Sequence, residues 1–218
     1  VLERGDARPI SLAVTAAPEG LASLWDWRRR VAALYESVRA APDPLRAAEA
    51  WRHGREALFL GHPQSPLDPE RRVPPAYFPY DPSFRFEVGL VPCPAEPEET
   101  VDAGPDGTLA LLPFARTEGL AARLGGELTL YWIAGYGGGA FLPFADATSG
   151  RTTYGGGRYL LDTIKGADLG EKDGRLVLDF NFAYNPSCAY SARWVCPLAP
   201  GRNRLPAAIA AGERTPPG

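Results

Sequence analysis

Leu24, Trp27, Val31, Leu34 and Val38 recur at steps of three and four, which predicts one apolar face of a helix. Ser23 stands where it can cap that helix, with Asp26 in the capping-box place three positions on, and Pro42 ends it. Asp43-Pro44 predicts a second helix, since Asp caps well and Pro suits the first turn. Leu45, Ala48 and Trp51 form its apolar side; Gly54 is a candidate interruption and Gly61 a candidate end. Prolines from Pro63 to Pro82 then argue against regular structure.

Beyond Pro82 the period changes to two. Phe84, Phe86, Val88 and Leu90 alternate with Arg85, Glu87 and Gly89, which predicts a half-buried strand. Pro92–Gly107 is acidic and Pro-containing and is expected to be an exposed loop. Further strands are expected at Thr108–Phe114, Glu127–Ala134, Ala140–Phe144, Arg158–Thr163 and Arg175–Phe182, about six in all, with Asp173-Gly174 as a tight turn. Two helices followed by a run of strands predict an α+β fold: an amino-terminal helical arm, then a mainly antiparallel, curved β-sheet, either a barrel or a sandwich. The expected organisation is one domain, with the arm at 21–60, a Pro-rich loop at 61–82 and a β-rich body at 83–214.

Composition narrows the function classes. With 23 basic and 26 acidic side chains and a net charge of −3, nothing favours nucleic acid or an anionic membrane as partner. No apolar run reaches the ~18 residues of a membrane span. Three cysteines are too few for a disulfide framework, and the odd number points to a reducing compartment, hence the cytoplasm. The chain lacks Met and has a single Gln, Gln64, which together with 23 Pro fits a heat-adapted protein; a GC-rich genome has the same effect. The absence of Met at residue 1 is compatible with a removed targeting segment.

Several motifs lack the context their chemistry needs. Gly135-Tyr136-Gly137-Gly138-Gly139-Ala140 has dinucleotide-loop spacing, but Phe141-Leu142-Pro143 follows where a helix must begin, so a turn between strands is expected. His53 and His62 share no helix face at metal-ligand spacing, and no nucleophile-elbow sequence exists. No metal and no cofactor are expected. Cys188 and Cys196 are open to three readings: buried small residues, a hairpin disulfide, or a reactive thiol at Cys188.

All three asparagines of the chain, Asn181, Asn185 and Asn203, fall within 23 residues. Asn supplies both donor and acceptor and tolerates left-handed backbone, so these positions serve either a site or a set of turns.

The same region carries a resemblance. Phe141-Leu142-Pro143-Phe144, Asp146, Thr148-Ser149-Gly150 and Thr153-Tyr154-Gly155-Gly156-Gly157-Arg158-Tyr159 are similar to the uncharacterised bacterial family catalogued as domain of unknown function number 1684. The likeness continues through Leu178-Asp179-Phe180-Asn181, Tyr184-Asn185-Pro186-Ser187-Cys188-Ala189-Tyr190, Cys196-Pro197-Leu198, Asn203-Arg204-Leu205-Pro206 and Ala211-Gly212-Glu213-Arg214. It implies kinship without an activity. It also singles out a polar set: Asp146, Tyr154, Arg158, Asp179, Asn181, Asn185, Cys188, Asn203, Arg204 and Glu213.

The leading expectation is a pocket on the body for a small anionic or carbonyl-bearing molecule. Its residues are Tyr154, Arg158, Asn181, Asn185, Cys188, Asn203 and Arg204, with Arg158 and Arg204 as planar forks for a carboxylate or phosphate. The alternatives are an enzyme using Cys188 as nucleophile or Asp179 or Glu213 as general acid/base, and a scaffold whose polar block braces loops. Convergence of these side chains on one cavity separates the readings.

Overall fold

The computed structural model of the protein describes residues 18–70, 72–94, 97–102 and 107–217. The unpatterned amino-terminal stretch up to residue 17 and Arg71 lie outside them.

Helix α1 spans Pro18–Ala40 and α2 spans Pro44–Gly61. The first begins upstream of Ser23, so Ser23 is an internal residue and not a cap. Its Oγ donates to Gly20 O at 2.9 Å and accepts from Gln64 Nε2 at 2.7 Å, tying the loop after α2 to α1. Asp26 likewise is internal, pairing with Arg30 Nε one turn on at 2.7 Å and, across to the end of α2, with His62 Nε2 at 3.2 Å. The Asp43 cap is as expected, with Oδ1 accepting from Leu45 N at 2.9 Å and Pro44 in the first turn. Gly54 does not interrupt α2. A Cβ there would lie 2.3 Å from Leu34 Cδ2, so the glycine lets the two helices approach closely.

Among the described residues eight strands follow: β1 Arg85–Pro92, β2 Glu99–Asp102, β3 Thr108–Glu118, β4 Thr129–Ile133, β5 Gly139–Phe144, β6 Arg158–Asp162, β7 Glu171–Lys172 and β8 Arg175–Asp179. A short helix, α3 (Ala121–Leu124), joins β3 to β4. The sheet is antiparallel, in the order β6-β5-β4-β3-β1-β8-β7, and curves into a half-barrel. On one side of the long β3, β1 pairs with its second half (Pro92↔Ala115) and β2 with its first (Glu99↔Leu111). Strand β2 falls inside the segment expected to be loop. Glu-Thr-Val-Asp has little strand pattern of its own and is ordered by the β3 edge. The β7–β8 hairpin turns on Asp173 (φ 52) and Gly174 (φ 73), both in the left-handed region a two-residue turn requires. The glycines from Gly135 to Gly138 make the turn between β4 and β5.

Two apolar clusters pack against opposite sides of the sheet, while Leu112, Phe114 and Trp132 stay exposed. One packs Val88, Leu128, Leu142, Phe144 and Phe180 against α3 and the returning segment at Leu205, Ile209 and Ala211. The other packs Leu111, Tyr131, Phe141, Tyr159, Phe182 and Tyr184 against Tyr35 of α1 and Ala47, Ala48 and Trp51 of α2. Strand β6 is therefore buried at every position. Among the described residues no helix is long and apolar enough to cross a membrane.

Candidate functional site

The residues that carry the sequence resemblance occupy different hydrogen-bond sets. Arg158 is 1% exposed. Its Nη2 donates to Asp146 Oδ2 at 2.8 Å and Ile209 O at 3.0 Å. Its Nη1 donates to Ala211 O and, at 3.2 Å, Glu213 O. Burial lowers the Arg158 pKa, against the pull of Asp146. The guanidinium thus clamps the 209–213 segment onto the sheet. Arg204 is an exposed side chain whose backbone bridges Ala145.

Asn203 takes the place of a strand residue. Its Oδ1 accepts from Thr129 N at 2.8 Å, and its Nδ2 donates to Thr129 O and Pro143 O, each at 2.8 Å. Asn181 does the same for the turn before β1: Oδ1 accepts from Asp81 N at 2.9 Å and Nδ2 donates to Asp81 O at 2.8 Å. Asp179 accepts from Asn181 N at 2.9 Å and lies 3.5 Å from Arg85 Nη1. Desolvation raises its pKa, partly offset by Asn181 and Arg85.

Glu213 is fully buried. Oε1 accepts from Arg55 Nε at 2.5 Å; Oε2 accepts from Asn185 N at 2.7 Å and Tyr190 Oη at 2.6 Å. One carboxylate therefore joins α2, the 184–190 loop and the carboxy-terminal segment. Gly212 makes the approach possible: with φ 74, a Cβ there would lie 2.5 Å from Ala183 O. Burial opposes the Arg55 charge, but Glu213 and the nearby tyrosines more than offset it, and the pKa rises. Its guanidinium also lies over the rings of Phe59 at 4.4 Å and Tyr184 at 4.9 Å.

Beside this junction, where α1 and α2 meet the body, is a cleft of about 70 Å³. Trp27, Val31, Tyr35, Phe59, Pro66, Tyr159, Ala167 and Pro186 supply its apolar wall. Arg55, Lys165, Tyr184, Asn185 and Ser187 supply polar groups. Lys165 Nζ pairs with Asp162 Oδ2 at 2.8 Å and its side chain is about half exposed. Two polar atoms of the wall residues, Tyr184 Oη and Asn185 Oδ1, are buried and have no hydrogen-bond partner among the described residues. Of the seven side chains expected to form a pocket, Asn185 is the one that borders this cleft. Arg55 and Lys165 escaped sequence reasoning. Arg55 is one arginine among many on a polar-looking helix, although Lys165 is one of only two lysines in the chain.

Cys188 and Cys196 are half-buried, unbonded thiols behind the same loop. Cys196 Sγ accepts from Cys188 N at 3.4 Å, and Cys188 Sγ lies 3.6 Å from Tyr154 Oη. Burial and the Cys188 thiol push the Tyr154 hydroxyl up to about 12. His62 caps α2, donating its backbone N–H to Leu58 O at 3.0 Å, while His53 is exposed. Among the described residues no group of three or more His, Cys, Asp or Glu side chains is arranged to hold a metal ion.

The family model described as "Protein of unknown function (DUF1684)" matches residues 75–214. The chain is also 34% identical to an uncharacterised protein of Haloarcula marismortui solved by solution NMR. That match covers 77% of this chain and 91% of the other, with a TM-score of 0.52. No curated protein matches the chain.

Proposed function

This chain belongs to the DUF1684 family of proteins of unknown function, and we propose that it binds a small carbonyl- or carboxylate-bearing molecule in the cleft between the helical pair and the sheet. The observation that carries this reading is the pair of unpartnered polar atoms, Tyr184 Oη and Asn185 Oδ1, on adjacent residues of the cleft wall. Leaving a buried polar group unsatisfied costs about 1–3 kcal/mol, so two such groups on residues of one cleft wall favour a guest that satisfies them. Tyr184 Oη donates to the guest's carbonyl or carboxylate oxygen. Asn185 Oδ1 accepts from an N–H or O–H. Lys165 supplies positive charge at the rim, and the aromatic wall takes the apolar part. At roughly 30 Å³ per water the cleft holds about two waters, which limits the enclosed part of the guest to a few heavy atoms.

Thermal denaturation with formate, acetate, acetamide and inorganic phosphate tests the proposal. A guest at about 100 times its Kd stabilises the fold by about 2.7 kcal/mol. At least one carbonyl or carboxylate probe raises the wild-type Tm, and Tyr184→Phe, which removes an unsatisfied hydroxyl, folds as well as wild type but loses that response. Equal responses in wild type and Tyr184→Phe, or no response to any probe, overturn it.

A further inference from the structure

Cys188 and Cys196 stand eight positions apart in sequence, but the 187–189 turn brings the backbone N–H of Cys188 to 3.4 Å from Cys196 Sγ. The two thiols are close enough to influence each other's charge. Every other titratable group at the pair has a defined position. Tyr154 Oη is 3.6 Å from Cys188 Sγ. The Tyr159 hydroxyl adjoins Cys196 and donates to Pro197 O at 2.7 Å. Lys165, paired with Asp162, places its ammonium on the Cys196 side. Both thiols are partly accessible and neither is in a disulfide.

We propose that Cys196 and Cys188 form a dithiol site that exchanges with small disulfides, with Cys196 as the attacking thiolate and Cys188 as the resolving thiol. The donors are asymmetric. Cys196 Sγ receives the backbone N–H of Cys188, the Cys188 thiol and the field of Lys165, which together outweigh burial and favour a negative sulfur. Hydrogen bonding from the Cys188 thiol, its largest influence, holds Cys196 below the ordinary thiol range; the same bond, with burial, holds Cys188 above it.

The chemistry follows from that asymmetry. Cys196 thiolate attacks one sulfur of a disulfide RSSR, the S–S bond breaks, and RS⁻ leaves. Charge on Cys196 is thereby removed, and with it the interaction that kept Cys188 protonated. Cys188 releases its proton and attacks the Cys196 sulfur, forming the Cys188–Cys196 disulfide and expelling the second RS⁻. The Cys188 proton and one from solvent convert both leaving groups to thiols, so two electrons pass from the protein pair to RSSR. A small thiol run in the reverse direction restores the site. This inference does not rest on occupancy of the cleft: neither cysteine lines it.

The test uses the reduced full chain and bis(2-hydroxyethyl) disulfide at mildly acidic pH, followed by intact mass and peptide mapping. Wild type is expected to lose two hydrogens and show a Cys188–Cys196 cross-link without a retained adduct. Cys188→Ser is expected to retain one adduct, on Cys196, and Cys196→Ser to react at least about tenfold more slowly. Limiting iodoacetamide on the wild type covers the case where a variant fails to fold: Cys196 is expected to label about tenfold faster than Cys188 and Cys93. An adduct that settles on Cys93 or first on Cys188, or equal labelling of the three thiols, overturns the proposal.

Discussion

Arg55 Nε and Glu213 Oε1 meet at 2.5 Å across 158 residues of sequence, one on α2 and the other in the carboxy-terminal segment. The same carboxylate holds Asn185 N and Tyr190 Oη. Removing either partner leaves the other's charge buried. Glu213→Gln and Arg55→Leu are each expected to cost about 3–5 kcal/mol in urea or guanidinium unfolding. In a double-mutant cycle the combined variant is expected to lose less than the sum of the two, since no lone buried charge remains.

Asn203 bridges Thr129 and Pro143 through three hydrogen bonds in a site with no exposure. Asn203→Ala strands a backbone N–H and two carbonyls inside the sheet. The expected loss is about 3 kcal/mol, measured by denaturant unfolding. Arg204→Ala, next in sequence but exposed, is expected to fall within about 0.5 kcal/mol of wild type.

Glu127 sets a pH dependence. Its carboxylate accepts from Thr117 Oγ1 at 2.6 Å and from the backbone N–H of Gly119, Leu120 and Ala121 at 2.8–2.9 Å. Desolvation acts to raise its pKa, but these four donors outweigh it and the pKa falls below the ordinary value. A carboxylate depressed in the fold stabilises above its unfolded pKa of about 4.3, and the contribution disappears as pH falls through the folded value. Glu127→Gln is therefore expected to cost about 1 kcal/mol at neutral pH, with the gap to wild type closing below about pH 4. Parallel thermal melts across that range measure it.

Gly212 carries a backbone φ of 74, and an added Cβ would lie 2.5 Å from Ala183 O and 2.6 Å from Phe180 O. The obstructing atoms are main chain and cannot rotate away. Gly212→Ala is expected to destabilise by more than about 2 kcal/mol, and to disturb the Arg158 and Glu213 contacts on either side. Far-UV circular dichroism and a denaturation curve check both parts.

Local pattern alone identified the two helices, the Asp43 cap, the Asp173-Gly174 hairpin and six of the eight strands. These depend on nearest-neighbour chemistry: periodicity, capping and the left-handed turn. Strand β2 and the early start of α1 were not legible in the same way. Glu99–Asp102 becomes a strand only because β3 offers it an edge, and Ser23 is drawn into α1, where its side chain meets Gln64.

The rarity of Asn marked Asn181, Asn185 and Asn203 from the sequence, as positions with specific work. What that work is was decided by the tertiary structure. Asn and Arg present the same donors to a ligand as to a backbone, and only the fold determines which lies within hydrogen-bond reach. Asn181 and Asn203 meet main-chain groups of distant segments, Arg158 meets the 209–213 carbonyls, and Asn185 is left with one buried oxygen unpartnered at the cleft. The block from Phe141 to Arg214 was visible in the sequence as a block. Its division into clamp, strand substitute, cleft wall and thiol pair arises from contacts as much as 158 residues apart, which no local pattern encodes.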